Sequence, residues 1–476
     1  MLIYPPSNYS YVYTRKNNDT FRGLAPPLGL LYIAKILEND GGSVEILDFS
    51  AEPFEEQKLV DAAKNADVVG MTVLSFSLVN SVEIVKVIKQ FKPQIKVIIG
   101  GPHCTLFPKK SLEETGADIS VQGDGESIIL DIKKAITGKI DFSEISGIYY
   151  RENDEIKNGP PLKLIKDIDS IPFPTRHLVN KYNYGKEYNP SIKKGEFTSI
   201  ITSRGCPFNC KFCSRNSISM KTFRRRSTKN ILEEIKNLSK MGYKYVSFAD
   251  DSFIENKKQA IELFEGIIKE QYDMNFIITA ARVNSADEEL FKKMKKAGVT
   301  HIQFGLESGN QDVLDFYNKK ITLDKIRYAV NLGHKMGFFT IGSFILGAPF
   351  ETKEHFEKTI QFAKNLPIDS VSFLPLRYMA GSELWCGAVK DGKILEDEYM
   401  VQADSKRGLG HFAREKIIEY CSKTNRDFYL RPNFVLRLFI KSLKNDELGF
   451  LQSYLSLFFS NIKQSLSFMG LTSRIK

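Results

Sequence analysis

Six cysteines in 476 residues are too few for a disulfide scaffold. No stretch reaches the roughly 18 uncharged apolar residues that a membrane-spanning helix needs. The opening residues "MLIYPPSNYS" lack a charged segment followed by a long apolar run, so no secretory signal peptide is expected. These absences point to a reducing cytoplasm. What is present fits a globular protein with an ordinary core: hydrophobic residues are 42% and charged residues 26%. The length predicts about two to four domains. A formal net charge of +10 reads as a solubilising excess of lysine unless it is concentrated in one place.

From Met1 to about Glu126 the pattern is strand then helix, repeated. Strands are expected at Leu2–Tyr4, Val44–Phe49, Val68–Leu74, Val97–Ile99 and Ile119–Val121, with helices such as Leu28–Glu38 and Ser81–Phe91 between them. Short, nearly all-apolar strands of this kind form a parallel sheet covered on both faces. Such open sheets bind ligands beyond the carboxyl ends of their strands. Those ends run into "YPP", "VLSFS", "GGPH" and "QGDGE". Each loop alone reads as turn chemistry, but glycines at several strand ends let a large, flat ligand approach the backbone. Residues 145–175 hold a hairpin, "SGIYYRENDEIKNG", and a proline-punctuated connector, "DIDSIPFPTRHL". A second array follows, with strands expected at Phe197–Thr202, Tyr245–Ala249, Phe276–Ala280, His301–Gly305, Thr340–Leu346 and Ser370–Pro375. Six such units suit a partial, open βα barrel, whose active residues sit at strand C-termini. The expected domains are 1–145, a hairpin and linker at 146–195, the barrel at 196–395, and a basic helical region at 396–476. The fold class is therefore α/β, with a doubly wound domain, a partial barrel and a helical C-terminal region.

Directly after the first barrel strand comes "SRGCPFNCKFCSR", with Cys206, Cys210 and Cys213 spaced C-x3-C-x2-C. A structural zinc site needs four ligands, and Cys104, Cys386 and Cys421 are scattered. A cubane iron–sulfur cluster for electron transfer takes four thiolates. Three thiolates leave one iron open, as a catalytic metal centre requires. The cluster is therefore read as [4Fe–4S] with a small molecule as fourth ligand.

This triad at the mouth of an open βα barrel resembles the radical S-adenosylmethionine (radical SAM) superfamily. The resemblance implies that S-adenosylmethionine fills the open iron and is cleaved to a 5′-deoxyadenosyl radical, which takes hydrogen from an unactivated carbon. It also implies roles for later strand ends. Phe212 precedes the third cysteine as in the family. Asp250 and Asp251 in "SFADDSF" stand where the family has a glycine–glutamate motif that holds the methionine amino group. Arg282 in "TAARV" would pair with the cofactor carboxylate. Glu307 and Ser308 in "FGLESG" would meet ribose or methionine groups, and Ile345 and Gly347 in "GSFILGAPFET" the adenine. An ordinary ion pair or helix cap is the plain alternative for each side chain taken singly.

The first domain resembles that of the cobalamin-dependent branch, through "PPLGLLYIA", "DVVGMTVLSFS", "GGPH" and "QGDGE". Cobalamin is implied as a further cofactor, with Ser75, Gly100, Gly101, His103, Gly123 and Glu126 as candidate contacts. The D-x-H-x-x-G motif that supplies a histidine to cobalt is absent, and His103 on another loop is not expected to replace it.

The expected activity is C-methylation, with a cyclising or ring-rearranging enzyme of the same branch, or an iron–sulfur or cobalamin sensor, as alternatives. An RNA-modifying relative would carry a second cluster domain with its own cysteines; "KTFRRRS" is basic but is read as opening a helix, and no nucleic-acid partner is expected. From His411 to Lys476 there are eleven Lys and Arg against five Asp and Glu. The apolar spacing of "FVLRLFIKSL" and "GFLQSYLSLFFSNIKQSLSFM" there suits either a helical cap on the barrel or a surface that meets membrane or a lipid. A hydrophobic or lipid substrate and an electron donor such as flavodoxin or ferredoxin complete the expected partners.

Overall fold

Alternation with period two builds the first layer. β1 (Leu2–Tyr4), β2 (Ile46–Asp48), β3 (Val68–Thr72), β4 (Lys96–Gly100) and β5 (Ile119–Val121) pair in parallel in the order β2-β1-β3-β4-β5. Side chains alternate between the two faces. Ile3, Leu47, Val69 and Val97 pack with Ile84 and Leu112 from the helices Leu78–Phe91 and Pro108–Thr115. On the other face, Leu2 and Ile46 pack with the helix Leu28–Asn39, and Ile98 and Ile119 with Ile129–Ile136. The strand order reverses between β1 and β3, the switch point at which such sheets open a crevice for ligands. β6 (Ile148–Glu152) and β7 (Glu155–Asn158) extend the sheet antiparallel beyond β5. Asn153 and Asp154 turn this hairpin with φ of 49° and 65°, the left-handed pair that a two-residue loop demands.

The computed structural model describes residues 1–6 and 25–437, apart from 187, 190, 433 and 435. The segment "GFLQSYLSLFFSNIKQSLSFM" and most of "FVLRLFIKSL" lie outside the described residues. Among the described residues no helix is long and apolar enough to cross a membrane.

The second sheet holds β8 (Phe197–Ile200), then, past a short antiparallel ribbon of β9 (Ser203–Arg204) and β10 (Arg224–Arg225), β11 (Tyr245–Phe248), β12 (Asn275–Ala281), β13 (Val299–Glu307), β14 (Phe339–Leu346) and β15 (Ser370–Pro375). Six parallel strands follow one another from β8 to β15 with the ribbon set apart, and β8 does not pair with β15. This is an open βα barrel. The largest core fills the space between these strands and their helices, with Phe248, Phe264, Phe276, Phe304, Phe344 and Phe373 fully buried. Beyond β15, β16 (Arg377–Met379) and β17 (Met400–Gln402) form a second small antiparallel ribbon.

Both free edges of the barrel are closed by side chains. On β15, Asn425 accepts from the amide of Phe373 (2.9 Å) and donates to its carbonyl (3.0 Å). The Tyr429 hydroxyl does the same to Val371, at 2.9 Å each way. Both come from the helix Arg414–Tyr429, which supplies one face of a strand ladder without being a strand. On β8, Arg176 donates to the Thr198 hydroxyl and the Ser199 carbonyl, at 2.8 Å each. Two amides and two carbonyls on the β15 edge and the Ser199 carbonyl on β8 are thereby satisfied.

The basic run "KTFRRRS" corrects one expectation. It does not open a helix: Arg224 and Arg225 form β10, and the helix begins at Thr228. Two of its arginines, Arg224 and Arg226, are engaged inside the protein. Arg226 shares Glu234 with Arg176, and this carboxylate is 1% exposed. Two buried guanidiniums around one buried carboxylate leave an excess cation if the acid is lost. Removing one partner of a buried pair costs about 3–5 kcal/mol. Glu234→Ala is therefore expected to lower the unfolding free energy by that order, measured by denaturant melts, and Glu234→Gln by less.

Candidate active site

A cavity of about 960 Å³ joins the two domains. One wall is the first sheet, from Met1 and Asp67 at the lower edge to Gly100, Gly101 and Gly123 at the carboxyl-end rim. The opposite wall is the mouth of the barrel: Ser203, Arg204, Gly205, Arg215, Ser219 and Asp251. The protein's own packing holds the rim residue Gly101 to glycine. Gly101 has φ of +100°, and a Cβ there would lie 2.7 Å from the Thr72 hydroxyl.

The cysteine loop stands beside this wall. Its backbone is held from three sides: the Lys211 amide donates to the Tyr317 carbonyl (3.0 Å), the Leu384 amide donates to the Lys211 carbonyl (3.0 Å), and Asn318 donates to the Asn209 carbonyl (2.8 Å). Phe212 packs edge-on against Tyr317. Burial raises the thiols of Cys206 and Cys213, and each also feels the charge of Cys210. Among the described residues no three His, Cys, Asp or Glu side chains converge on one ion. A cubane asks for something else, since each of its thiolates holds a different iron. Arg282, at the end of β12 and 9% exposed, lies 3.8 Å from the Cys210 sulfur through Nη1 and stacks over the Phe208 ring at 3.5 Å. Its Nη2 donates to the carbonyl of Lys319. The residues therefore suit a thiolate-bound cluster with a cation against it.

Comparison with known proteins agrees with this arrangement. The B12 binding domain family matches residues 14–133, and the Radical SAM superfamily matches residues 200–363. An uncharacterized methyltransferase of Pyrococcus horikoshii is 34% identical over 418 residues, covering 87% of this chain and 89% of that protein. The chain belongs to the cobalamin-binding branch of the radical SAM superfamily. It is a radical SAM enzyme, and its cofactors are a [4Fe–4S] cluster, S-adenosylmethionine and cobalamin. The cytidylyl-2-hydroxyethylphosphonate methyltransferase of Streptomyces wedmorensis is 28% identical, covering 85% of this chain and 86% of that one. The radical S-adenosylmethionine methyltransferase TsrM of Kitasatospora setae, solved with cobalamin and [4Fe–4S] cluster bound, shares the fold: TM-score 0.67 at 19% identity, over 82% of this chain and 74% of that chain.

The structure separates residues that this enzyme's sequence grouped together. Asp250 and Asp251 are adjacent in the chain and point opposite ways. Asp250 turns inward and accepts from the Thr202 amide and hydroxyl (3.0 Å each) and the Ser203 hydroxyl (2.6 Å). Burial pushes its carboxyl up to about 6 against those bonds. Asp251 lines the cavity and meets Arg215 at 3.1 Å. Glu307 and Ser308 part likewise. Glu307, with φ of +62°, pairs with buried Lys319 at 2.5 Å. Ser308 is fully buried, beside Thr359 (3.2 Å), and accepts from the Asn310 amide. It braces the following helix, the plain reading of a polar residue at a strand end. Ile345 lies in β14 just ahead of Gly347 (φ +110°), whose amide and that of Ala348 both donate to Glu351 at 2.7 Å. Burial raises the Glu351 carboxyl to about 7.

On the cobalamin-domain side, Ser75 and His103 come together, hydroxyl to Nδ1, at 3.2 Å. The imidazole is fully buried against Tyr399 and Phe107, with Nε2 3.9 Å from Glu114. It faces the packing between domains. Glu126, expected as a cobalamin contact, lines the cavity and is held by Arg204 at 2.5 Å. Asp124, two residues earlier, takes Arg204 at 2.7 Å and Arg224 on its other oxygen. Sequence reading passed over Asp124, Arg204, Arg215, Arg224, Lys319 and Glu351. Arg204 and Arg215, two residues before Cys206 and two after Cys213, offered a signal by position, and Asp124, Arg224 and Glu351 lay in motifs quoted for other residues.

Burial opposes the charge on Asp124, but the hydrogen bonds and charges of Arg224 and Arg204 outweigh it and hold the carboxyl below its ordinary range. A carboxyl depressed on folding stabilises the native state above its unfolded value, about 4, and that stability is lost as pH falls through the folded value. Thermal unfolding should show Asp124→Asn less stable than the parent at pH 7, with the gap narrowing below about pH 4.

Proposed function

We propose that this enzyme transfers a methyl group to an unactivated carbon of a hydrophobic small molecule. The observation that carries the reading is the shared cavity, where the glycine rim of the first sheet faces Arg204, Gly205 and Arg215, which flank the cysteine loop of the barrel. When bound, the cluster with S-adenosylmethionine supplies a carbon-centred radical, and cobalamin supplies the methyl group.

The chain's own part is binding, orientation and exclusion of water. Cys206, Cys210 and Cys213 hold the cluster and leave one iron open. Arg282, fixed on Phe208 and on the Lys319 carbonyl, places a cation at the Cys210 thiolate and offers a charge to the methionine carboxylate. Asp251 faces the cavity and is the better placed of the two aspartates for the methionine amino group; Asp250 holds the turn into the cysteine loop. The Glu307–Lys319 pair is the polar group for ribose or methionine, and the Gly347 backbone, locked by Glu351, meets adenine. Gly100, Gly101 and Gly123 admit the flat corrin, while the long cavity along the sheet leaves room for its nucleotide tail.

The apolar wall of Ile201, Ile218 and Ala249 beside the cysteine loop, with the apolar and basic tail of the sequence, supports a hydrophobic acceptor. The Streptomyces relative names a polar, cytidylyl acceptor, so extraction of the product decides between the two. An acidic carrier such as flavodoxin or ferredoxin would supply electrons.

Anaerobically reconstituted protein should bind about four irons and show a corrinoid absorption spectrum. Cys206→Ala, Cys210→Ala and Cys213→Ala should each abolish deoxyadenosine formation from S-adenosylmethionine; full activity in any one of them removes the cluster assignment. In cell extract the product should gain the mass of a methyl group and partition into the organic phase. An unchanged carbon count would instead favour a cyclising enzyme.

A further inference from the structure

The ribbon β9–β10 carries an arrangement that would be unfavourable by itself. Arg204 and Arg224 are direct cross-strand partners, so both guanidiniums leave the same face of the ribbon. Like charges directly opposite one another destabilise an antiparallel pair. Here they converge on a single carboxylate from the other domain: Asp124 takes Arg204 at 2.7 Å on one oxygen and Arg224 on the other. Asp124 is 6% exposed, and the arginines 18% and 13%. The three groups are anchored further. Glu126 takes the other terminal nitrogen of Arg204. The Ile165 amide donates to Asp124 at 3.0 Å, and the Ile165 carbonyl accepts from Arg224 at 2.7 Å.

Both ends of this contact lead directly to a cofactor site. Asp124 follows Gly123 on the rim loop after β5. Arg204 is joined to Cys206 through Gly205 alone, whose φ is +86° and whose Cβ, if present, would lie 2.1 Å from the Thr222 carbonyl. No flexible segment separates carboxylate from rim or guanidinium from cysteine. We propose that Asp124 is a positioning residue: by bridging Arg204 and Arg224 across the domain boundary, it sets the separation and orientation of the corrin relative to the iron–sulfur cluster.

This inference rests on the cofactor assignment above, and the test distinguishes the two. Cob(II)alamin and the reduced cluster each carry an unpaired electron, and their dipolar coupling falls with the cube of distance. Electron paramagnetic resonance of reduced holoenzyme, loaded with cobalamin and with no methyl acceptor, should show one well-defined coupling. Asp124→Asn should retain its irons and cobalamin but lose the single coupling, giving a weaker, spread distribution. Arg224→Lys, which keeps charge but not the two-pronged contact, should give the same change and serves if Asp124→Asn does not fold. An unchanged coupling in either variant, with both cofactors bound, overturns the proposal while leaving the cofactor assignment standing. Loss of cobalamin binding alone would make Asp124 a ligand-holding group and overturn it as well. Absence of either signal in the parent protein removes the assignment and the proposal together.

Discussion

One carboxylate holds two cations that would otherwise repel each other, and it belongs to the other domain. That single constraint, Asp124 between Arg204 and Arg224, ties the rim of the doubly wound sheet to the strand that leads into Cys206. Charge balance at a domain boundary is directional in a way that apolar contact is not. A hydrophobic interface tolerates sliding, whereas two-pronged guanidinium contacts fix angle as well as distance. The neighbouring buried network repeats the motif with the signs arranged alike: Arg176 and Arg226 share Glu234 and pin the connector to the barrel. Arg224 and Arg226, two residues apart, thus serve two separate local fields rather than one basic surface.

Around this fixed point the cysteine loop is held by neighbours distant in sequence. Tyr317 and Asn318 reach it from beyond β13, and Leu384 from beyond β15. Arg282 completes the enclosure through Phe208. Cofactor-binding loops with few bonds of their own gain order from such surroundings, and the barrel strands supply it.

Much of this was legible in the chain. Strands β1 and β5 coincide with their apolar runs, because parallel strands buried on both faces leave an uninterrupted signal, and β15 coincides with its alternating Ser-Val-Ser-Phe run, as suits an edge strand. Val44–Phe49 shortened to Ile46–Asp48, and Phe197–Thr202 to Phe197–Ile200, where apolar residues continue past the last ladder bond. The C-x3-C-x2-C spacing is local and needed no tertiary knowledge. What local pattern could not reveal was which acid meets which base. Glu126 and Asp250 sat in suggestive loops, yet their partners, Arg204 and the Thr202–Ser203 turn, are 78 and 48 residues away. His103 carried the chemistry of a ligand and is enclosed by Tyr399, which is brought against it only when the chain returns.

The barrel's free edges have a consequence for how the enzyme holds its shape. A strand closed by another strand opens only as a ladder, many bonds together. The edge at β15 is closed instead by Asn425 and Tyr429, two side chains one helical turn apart on one helix. Ile417, Cys421 and Phe428 of that helix are buried in the barrel core, so this edge is held by apolar packing and two side chains where a neighbouring strand would use a ladder.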